Sequence, residues 1–251
     1  MSKVIPLEEE LRAELRSILN SLRLRILQSN EQEFPLSFSY KGDTTRTFYE
    51  TSTITRPLNV NPLRGSPTLE DVRSELGDCR RCPLCSLRKN LVFGEGNPRA
   101  EVVFVGEAPG GDEDREGRPF VGRAGQLLTK IINAMNLQRK DVYICNILKC
   151  RPPGNRSPEP AEILACKPFL IAQLQAISPR VICALGAFAA KTLLCKEDIP
   201  ITTLRGRFHD YEGIKVMPTF HPAYLLRNPA AKKLVWEDVQ MIMKELAKKV
   251  E

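Results

Sequence analysis

Four short apolar runs, EVVFVG (101–106), VYICNIL (142–148), RVICALG (180–186) and IKVMPTF (214–220), constrain this chain more than any other feature. Each is rich in β-branched residues and continuous rather than alternating, the pattern of strands buried on both faces. Between them lie the helical patterns AGQLLTKIINAMNL, PAEILACKPFLIAQLQAI and AFAAKTLLC, and AAKKLVWEDVQMIMKELAKKV closes the series. Strands that alternate with helices form βαβ units, because parallel neighbours need a crossover connection. The expected fold class is therefore α/β, a three-layer α/β/α arrangement around a central four-stranded, mainly parallel sheet. Ligands of such sheets bind beyond the carboxyl ends of the strands, so the segments after each run are where chemistry is to be sought.

The series begins only after Pro67. In residues 1–28, Leu7, Leu11, Leu15, Ile18, Leu22 and Ile26 recur at helical spacing, and Glu8 to Glu10 fall in the first turn where the helix dipole favours anions. Residues 29–66 are rich in Ser, Thr, Asn and Pro without a sustained period and read as a polar, flexible linker. The predicted organisation is thus an amphipathic helix (1–28), a linker (29–66) and a catalytic or binding domain (67–251). The apolar stripe of the helix suits packing on its own domain, and the long tether also leaves it free to dock a protein partner.

No run of about 18 apolar residues is present to span a bilayer, and the acidic N-terminal segment is unlike a secretory leader. A monomer in the cytoplasm with no membrane association is the expectation. In a reducing compartment the eight cysteines are read as thiols or metal ligands rather than disulfides. Cys79 and Cys82 form a CxxC pair, and Cys150 and Cys166 supply two further thiols to complete four ligands. On spacing alone zinc and an iron–sulfur cluster are equal, and the bland alternative makes Cys150 and Cys166 small buried residues. Cys145, Cys183 and Cys195, inside apolar runs, are read in that bland way. The net charge of +7 is compatible with a polyanionic partner without demanding one.

The first run leads into GEAPGGDEDREGRPFVG, a tight Gly/Pro turn that lacks the lysine and hydroxyl of a phosphate loop. Glu107, Asp112, Glu113 and Asp114 would repel a phosphate, yet a carboxylate there can polarise a water or simply cap a following helix. Phe120 suits either the core or a flat ligand. Asn146, near the end of the second run, offers both a donor and an acceptor. His221, just past the fourth run, stands at the ligand-binding edge, whereas His209 is expected in an exposed turn.

Together, CRRC, VFGEGNPRAEVVFVGEAPGGDEDREGRPFVGRAGQLL, VYICNILKCRPPGNRSPEPAEILAC and TFHPAYLLR occur in the order that closely resembles the family 4, iron–sulfur uracil-DNA glycosylases. The resemblance runs from about Leu69 to Leu246. It implies the uracil-DNA glycosylase fold and hydrolysis of the N-glycosidic bond of deoxyuridine in single- or double-stranded DNA, with the base flipped into a closed pocket. It implies a structural [4Fe-4S] cluster held by Cys79, Cys82, Cys150 and Cys166, with no ligand role for Cys85. Phe120 matches the aromatic that stacks on uracil, Asn146 the amide that reads its edge, and Glu113 the residue that crowds out a thymine methyl. His221 matches the histidine that stabilises charge on uracil O2. Ala108 stands where the better-known family 1 enzymes carry aspartate, which leaves Glu107 to position water. Asn155, Arg156, Leu226 and Arg227 fall in the loops expected to meet DNA, and Leu226 in the loop that wedges into the duplex. The rival reading is a non-catalytic iron–sulfur DNA-binding or adaptor protein with the same fold.

Overall fold

The computed structural model describes residues 67–196 and 198–248. The predicted N-terminal helix and linker lie outside the described residues.

All four predicted strands are present and parallel: β2 (Val102–Gly106), β3 (Tyr143–Asn146), β4 (Val181–Leu185) and β6 (Ile214–Thr219). The sheet nevertheless has six strands, in the order β1-β3-β2-β4-β6-β5. Its edges are β1 (Glu95–Gly96) and β5 (His209–Tyr211), both antiparallel to their neighbours. The expectation of four strands is corrected because these edge strands are short and polar, and so carry no apolar run. β5 turns into β6 through Glu212 and Gly213, both at positive φ, a geometry that matches the twist of a tight hairpin. His209 accordingly sits on an edge strand rather than in an exposed turn, with Nε2 2.8 Å from the Leu204 carbonyl.

Alternate residues of each strand point to opposite faces. Val103, Val105, Ile182, Ala184 and Val216 join one apolar cluster, whereas Phe104, Ile144, Cys183 and Met217 join another. The first is covered by α4 (Pro160–Ile177) and α5 (Ala187–Leu194), and the second by α3 (Arg123–Ala134) and α8 (Lys232–Leu246). Burial on both faces explains the unbroken apolar runs, since each fully buried Val, Ile or Phe stabilises the fold by roughly 1.5–3 kcal/mol.

The helix α4 coincides with its predicted pattern. It starts at a capping box in which the Glu159 N–H donates to Glu162, and stops at Ser178 in the left-handed conformation. Two short helices went unpredicted: α1 (Leu69–Leu76), capped by Thr68 and Asp71, and α2 (Gly111–Glu116), lying where only a turn was expected. The remaining helices are α6 (Ile201–Leu204) and α7 (Pro222–Arg227). Cys145 and Cys183 are buried as expected, but Cys195 is exposed. It follows the last turn of α5 at φ 53°, and a left-handed residue that ends a helix is turned out of the apolar stripe its neighbours follow.

One buried ion pair fastens α8 to the sheet. Asp238 has 0% exposure, accepts from Arg205 Nη2 at 2.7 Å and Nε at 3.1 Å, and also accepts from the Thr219 hydroxyl at 2.6 Å. Thr219 ends β6, two residues before His221.

Candidate active site and cysteine nest

The carboxyl ends of β2, β3 and β6 open into a cavity of about 500 Å³. The sheet order reverses at β2, whose neighbours β3 and β4 follow it on opposite sides, the position where ligands of such folds settle. Nine of the sequence-predicted residues line this cavity: Glu107, Ala108, Glu113, Phe120, Asn146, Asn155, Arg156, His221 and Arg227. Leu226 does not. It is 39% exposed on α7, beside the cavity mouth residue Arg227.

The cavity floor depends on a close approach at the end of β2. A Cβ added to Gly106 would stand 2.4 Å from Asn146 Oδ1 and 2.6 Å from the Phe120 ring, so only glycine lets the two side chains meet there. Asn146 is 2% exposed, and its Oδ1 is the single buried side-chain polar atom without a hydrogen-bond partner among the described residues. A buried carbonyl left unpaired costs free energy, and an acceptor facing a cavity is satisfied by a ligand donor.

His221 forms the opposite wall, its ring centroid 5.5 Å from that of Phe120. One edge faces the cavity while the rest is enclosed, and this burial lowers its pKa to about 4, against a weaker opposing pull from Glu113 and with Arg227 adding to the decrease. The imidazole is therefore neutral at physiological pH. Its tautomer follows from the backbone: the Ala223 N–H donates to Nδ1 at 3.1 Å, which leaves the proton on Nε2. The same bond caps the N-terminus of α7. The site thus holds a neutral donor that carries no positive charge before reaction.

The four carboxylates of the first turn have separate tasks. Asp112 is ion-paired with Arg115. Asp114 is buried and accepts the Lys89 N–H at 2.9 Å. Glu113 accepts from the N–H groups of Val121 at 2.9 Å, Gly122 at 3.0 Å and Gly110 at 3.1 Å, so it both caps α2 and clamps the turn that carries Phe120. Glu107 alone has no hydrogen-bond or ion-pair partner among the described residues, and burial raises its pKa above the usual carboxylate value. A half-buried carboxylate with both oxygens available can hold a water.

At the rim, Arg156 already pairs with Glu162 at 2.6 Å and with Glu159 at 3.1 Å, which spends much of its charge within the protein. Asn155 accepts from Arg151 Nε at 2.8 Å. Arg151 was not singled out from the sequence, and no carboxylate pairs with it among the described residues. Tyr224 was also missed. It lines the cavity one helical turn after His221 and stacks on Phe220 at 4.9 Å, and the i to i+3 spacing from His221 was the available signal.

The four predicted thiols of Cys79, Cys82, Cys150 and Cys166 line one small void, and Cys85 does not. Among the described residues no group of three or more His, Cys, Asp or Glu is arranged to hold a metal ion. What gathers around the void is positive charge and N–H donors. Arg88 Nη1 donates to Cys150 Sγ and the Lys149 N–H to Cys166 Sγ, each at 3.3 Å. Lys149 is 1% exposed, and its ammonium donates to the Asn146 carbonyl and to Gln173 Oε1, both at 2.6 Å, with no carboxylate paired to it among the described residues. A buried cation without a counter-charge is costly. Burial raises the pKa of the Cys82 and Cys150 thiols and pushes Cys166 up to about 12, while Arg88 acts on Cys150 and Lys149 on Cys166 in the opposite direction. Four thiols around one void, with cations placed to offset thiolate charge, fit a tetrathiolate centre, the donor set that zinc and iron–sulfur clusters share.

Comparison with known proteins gives a consistent picture. The model of the uracil DNA glycosylase superfamily matches residues 93–240. The chain is 50% identical over 175 residues to the Type-4 uracil-DNA glycosylase of Thermotoga maritima, covering 68% of this chain and 91% of that protein. It is 44% identical over 189 residues to the Type-4 uracil-DNA glycosylase of Archaeoglobus fulgidus, covering 72% and 95% respectively. The Type-5 uracil-DNA glycosylase of Pyrobaculum aerophilum is 30% identical over 214 residues, covering 71% and 92%.

Proposed function

The chain belongs to the uracil DNA glycosylase superfamily, and from that premise we propose that it is a type-4 uracil-DNA glycosylase. It hydrolyses the N-glycosidic bond of deoxyuridine in DNA and so starts base excision repair. The observation that carries the pocket assignment is the unpaired Oδ1 of Asn146. Uracil N3–H donates to this oxygen while the amide nitrogen donates to uracil O4. Cytosine presents an acceptor and a donor in the reverse order and leaves both amide groups unsatisfied.

In this reading the base leaves the stack and rests on Phe120, with the bulk of Glu113 where a thymine methyl would lie. The bond between C1′ and N1 breaks with its electron pair passing to the base, and negative charge gathers on O2. His221 Nε2–H donates to that oxygen. Because the imidazole starts neutral, it meets the charge by hydrogen bonding, and the donor is already aimed before the bond breaks. Glu107 orients the water that adds to C1′, and Ala108 offers no side chain for that task. The water's proton is released as the abasic sugar forms. Asn155, Arg156, Leu226 and Arg227 meet the DNA around the pocket, with Leu226 the wedge left exposed for the gap in the duplex. The guanidinium of Arg151, which pairs with no carboxylate among the described residues, adds to the phosphate contacts.

Cys79, Cys82, Cys150 and Cys166 hold a [4Fe-4S] cluster in this reading. When bound, the cluster supplies a structural cross-link among the loop after α1, the end of β3 and α4. The cationic surroundings of the void support it. Replacing Cys79 or Cys166 with alanine is expected to reduce iron content and thermal stability together, measured by iron assay and melting of the purified variants. Normal iron in both variants refutes the ligand set. For residues 1–28 the apolar stripe and the polar tether support a partner-docking helix in a monomeric, cytoplasmic enzyme.

The enzyme assignment is tested by incubating the purified full chain with single-stranded, U:G and U:A DNA and measuring free uracil. Release well above that of a His221→Ala control is expected. Release no greater than the control refutes the assignment and leaves the adaptor reading.

A further inference from the structure

We infer that Arg139, held by Glu95, is a positioning residue for the ring of Phe120 and thereby for the base. This inference rests on the reading of Phe120 as the stacking surface.

Phe120 has φ 52°, in the left-handed region that non-glycine residues seldom adopt and that an aromatic residue adopts only under constraint. The constraint on its carbonyl side is Arg139. All five N–H groups of that guanidinium are used. Nε donates to Glu95 Oε1 at 2.9 Å and Nη2 to the same oxygen. Nη2 also donates to the Pro119 carbonyl at 2.7 Å, and Nη1 donates to the Phe120 carbonyl at 3.1 Å and to Thr129 Oγ1 at 3.2 Å. Two successive carbonyls are therefore gripped by one planar cation. On the other side of the same residue Glu113 accepts the next two N–H groups, of Val121 and Gly122. The turn is fixed between a cation on its carbonyls and an anion on its amides.

Packing leaves the Phe120 carbonyl no other place. A Cβ at Gly125 would lie 1.9 Å from that oxygen, so the first turn of α3 presses directly on it. Glu95 belongs to β1, paired with Ile144 of β3, and so anchors Arg139 to the same strand that carries Asn146. Both walls that touch the base are thereby referred to one strand. Lysine cannot substitute at this position, because three tetrahedral donors do not span two carbonyls and a carboxylate as a planar fork does.

The test is a double-mutant cycle on the full chain: wild type, Arg139→Met, Phe120→Leu and the double variant. Single-turnover uracil release and inhibition by free uracil are measured below the melting temperature of each protein. Phe120→Leu is expected to weaken uracil inhibition about tenfold or more, the scale of a lost base–aromatic stack. Arg139→Met is expected to reproduce most of that loss, and the double variant to match Phe120→Leu within about twofold, because residues acting through one another are not additive. Independent, multiplying losses overturn the inference, as does undiminished uracil inhibition in Arg139→Met while Phe120→Leu loses it. Unchanged inhibition in Phe120→Leu overturns the stacking assignment and the inference with it. Where Arg139→Met fails to fold, Arg139→Lys keeps the pairing with Glu95. It is expected to melt near wild type yet bind uracil as poorly as Phe120→Leu, and full retention of uracil binding by this variant also overturns the inference.

Discussion

Replacing His221 with alanine is expected to slow uracil release by about 10²–10³-fold in single turnover, the usual cost of removing one preorganised donor from developing charge. The effect falls on the chemical step, so binding of uracil-containing DNA should change little. The pH dependence distinguishes this role from a structural one. His221 is neutral at neutral pH, and protonation of Nδ1 as the pH falls through about 4 removes the acceptor for the Ala223 N–H that seats the ring. Glu107 must be ionised to hold water, and its pKa is raised by burial, so its acid limb lies above the usual carboxylate range. The wild-type rate should therefore decline in acid first with Glu107 and again near pH 4, and the second step should vanish in His221→Ala.

Stability follows the same group. The unfolded chain protonates His221 near pH 6.5 and the folded chain only near 4. Above 6.5 neither state takes the proton and this group costs nothing. As the pH falls from 6.5 towards 4, the unfolded state alone gains it, and about 3 kcal/mol of stability is lost by linkage. Urea denaturation at pH 7 and pH 4.5 should show a smaller loss in His221→Ala than in wild type.

Asp238→Ala is expected to destabilise the protein by about 3–5 kcal/mol, the range for breaking one side of a buried ion pair. The carboxylate is fully enclosed and serves both Arg205 and Thr219, so its removal leaves a largely buried guanidinium without its counter-charge and a buried hydroxyl without its acceptor. Asp238→Asn keeps one acceptor for these donors and should cost less. Equilibrium unfolding of both variants at neutral pH measures the difference. Equal, negligible losses would mean that water replaces the carboxylate.

The four central strands were legible because burial on both faces leaves a continuous apolar run in the sequence. The edge strands β1 and β5 were not, since Glu95, Gly96, His209 and Asp210 carry no such signal and their pairing is decided by the backbone of β3 and β6. The pocket residues were legible for a related reason: Asn146 ends a strand and Glu107 and His221 lie just past one, where this fold places its ligands. Their working state was not. That His221 is neutral with its proton on Nε2 depends on enclosure and on one N–H, from Ala223, and neither is a property of residue type. The family resemblance sets Glu113 apart from the other acids of its turn, but only the fold shows it committed to three backbone amides. Lys149 and Arg139 escaped notice because surface and buried cations look alike until their partners are known.

Lys149 has a consequence for how this protein can change over generations. Its backbone N–H donates to Cys166, its ammonium holds the carbonyl of Asn146, and the next residue is Cys150. The amide proposed to select the base and one thiol of the nest, that of Cys150, thus share a five-residue segment, to which Cys166 is tied by the Lys149 N–H. A substitution that retunes base choice from within this segment also disturbs the nest, and one that loosens the nest shifts the amide. Lineages that alter base preference should therefore do so through the walls contributed by Glu113, Phe120 and His221, whose own hydrogen bonds involve no residue of 146–150.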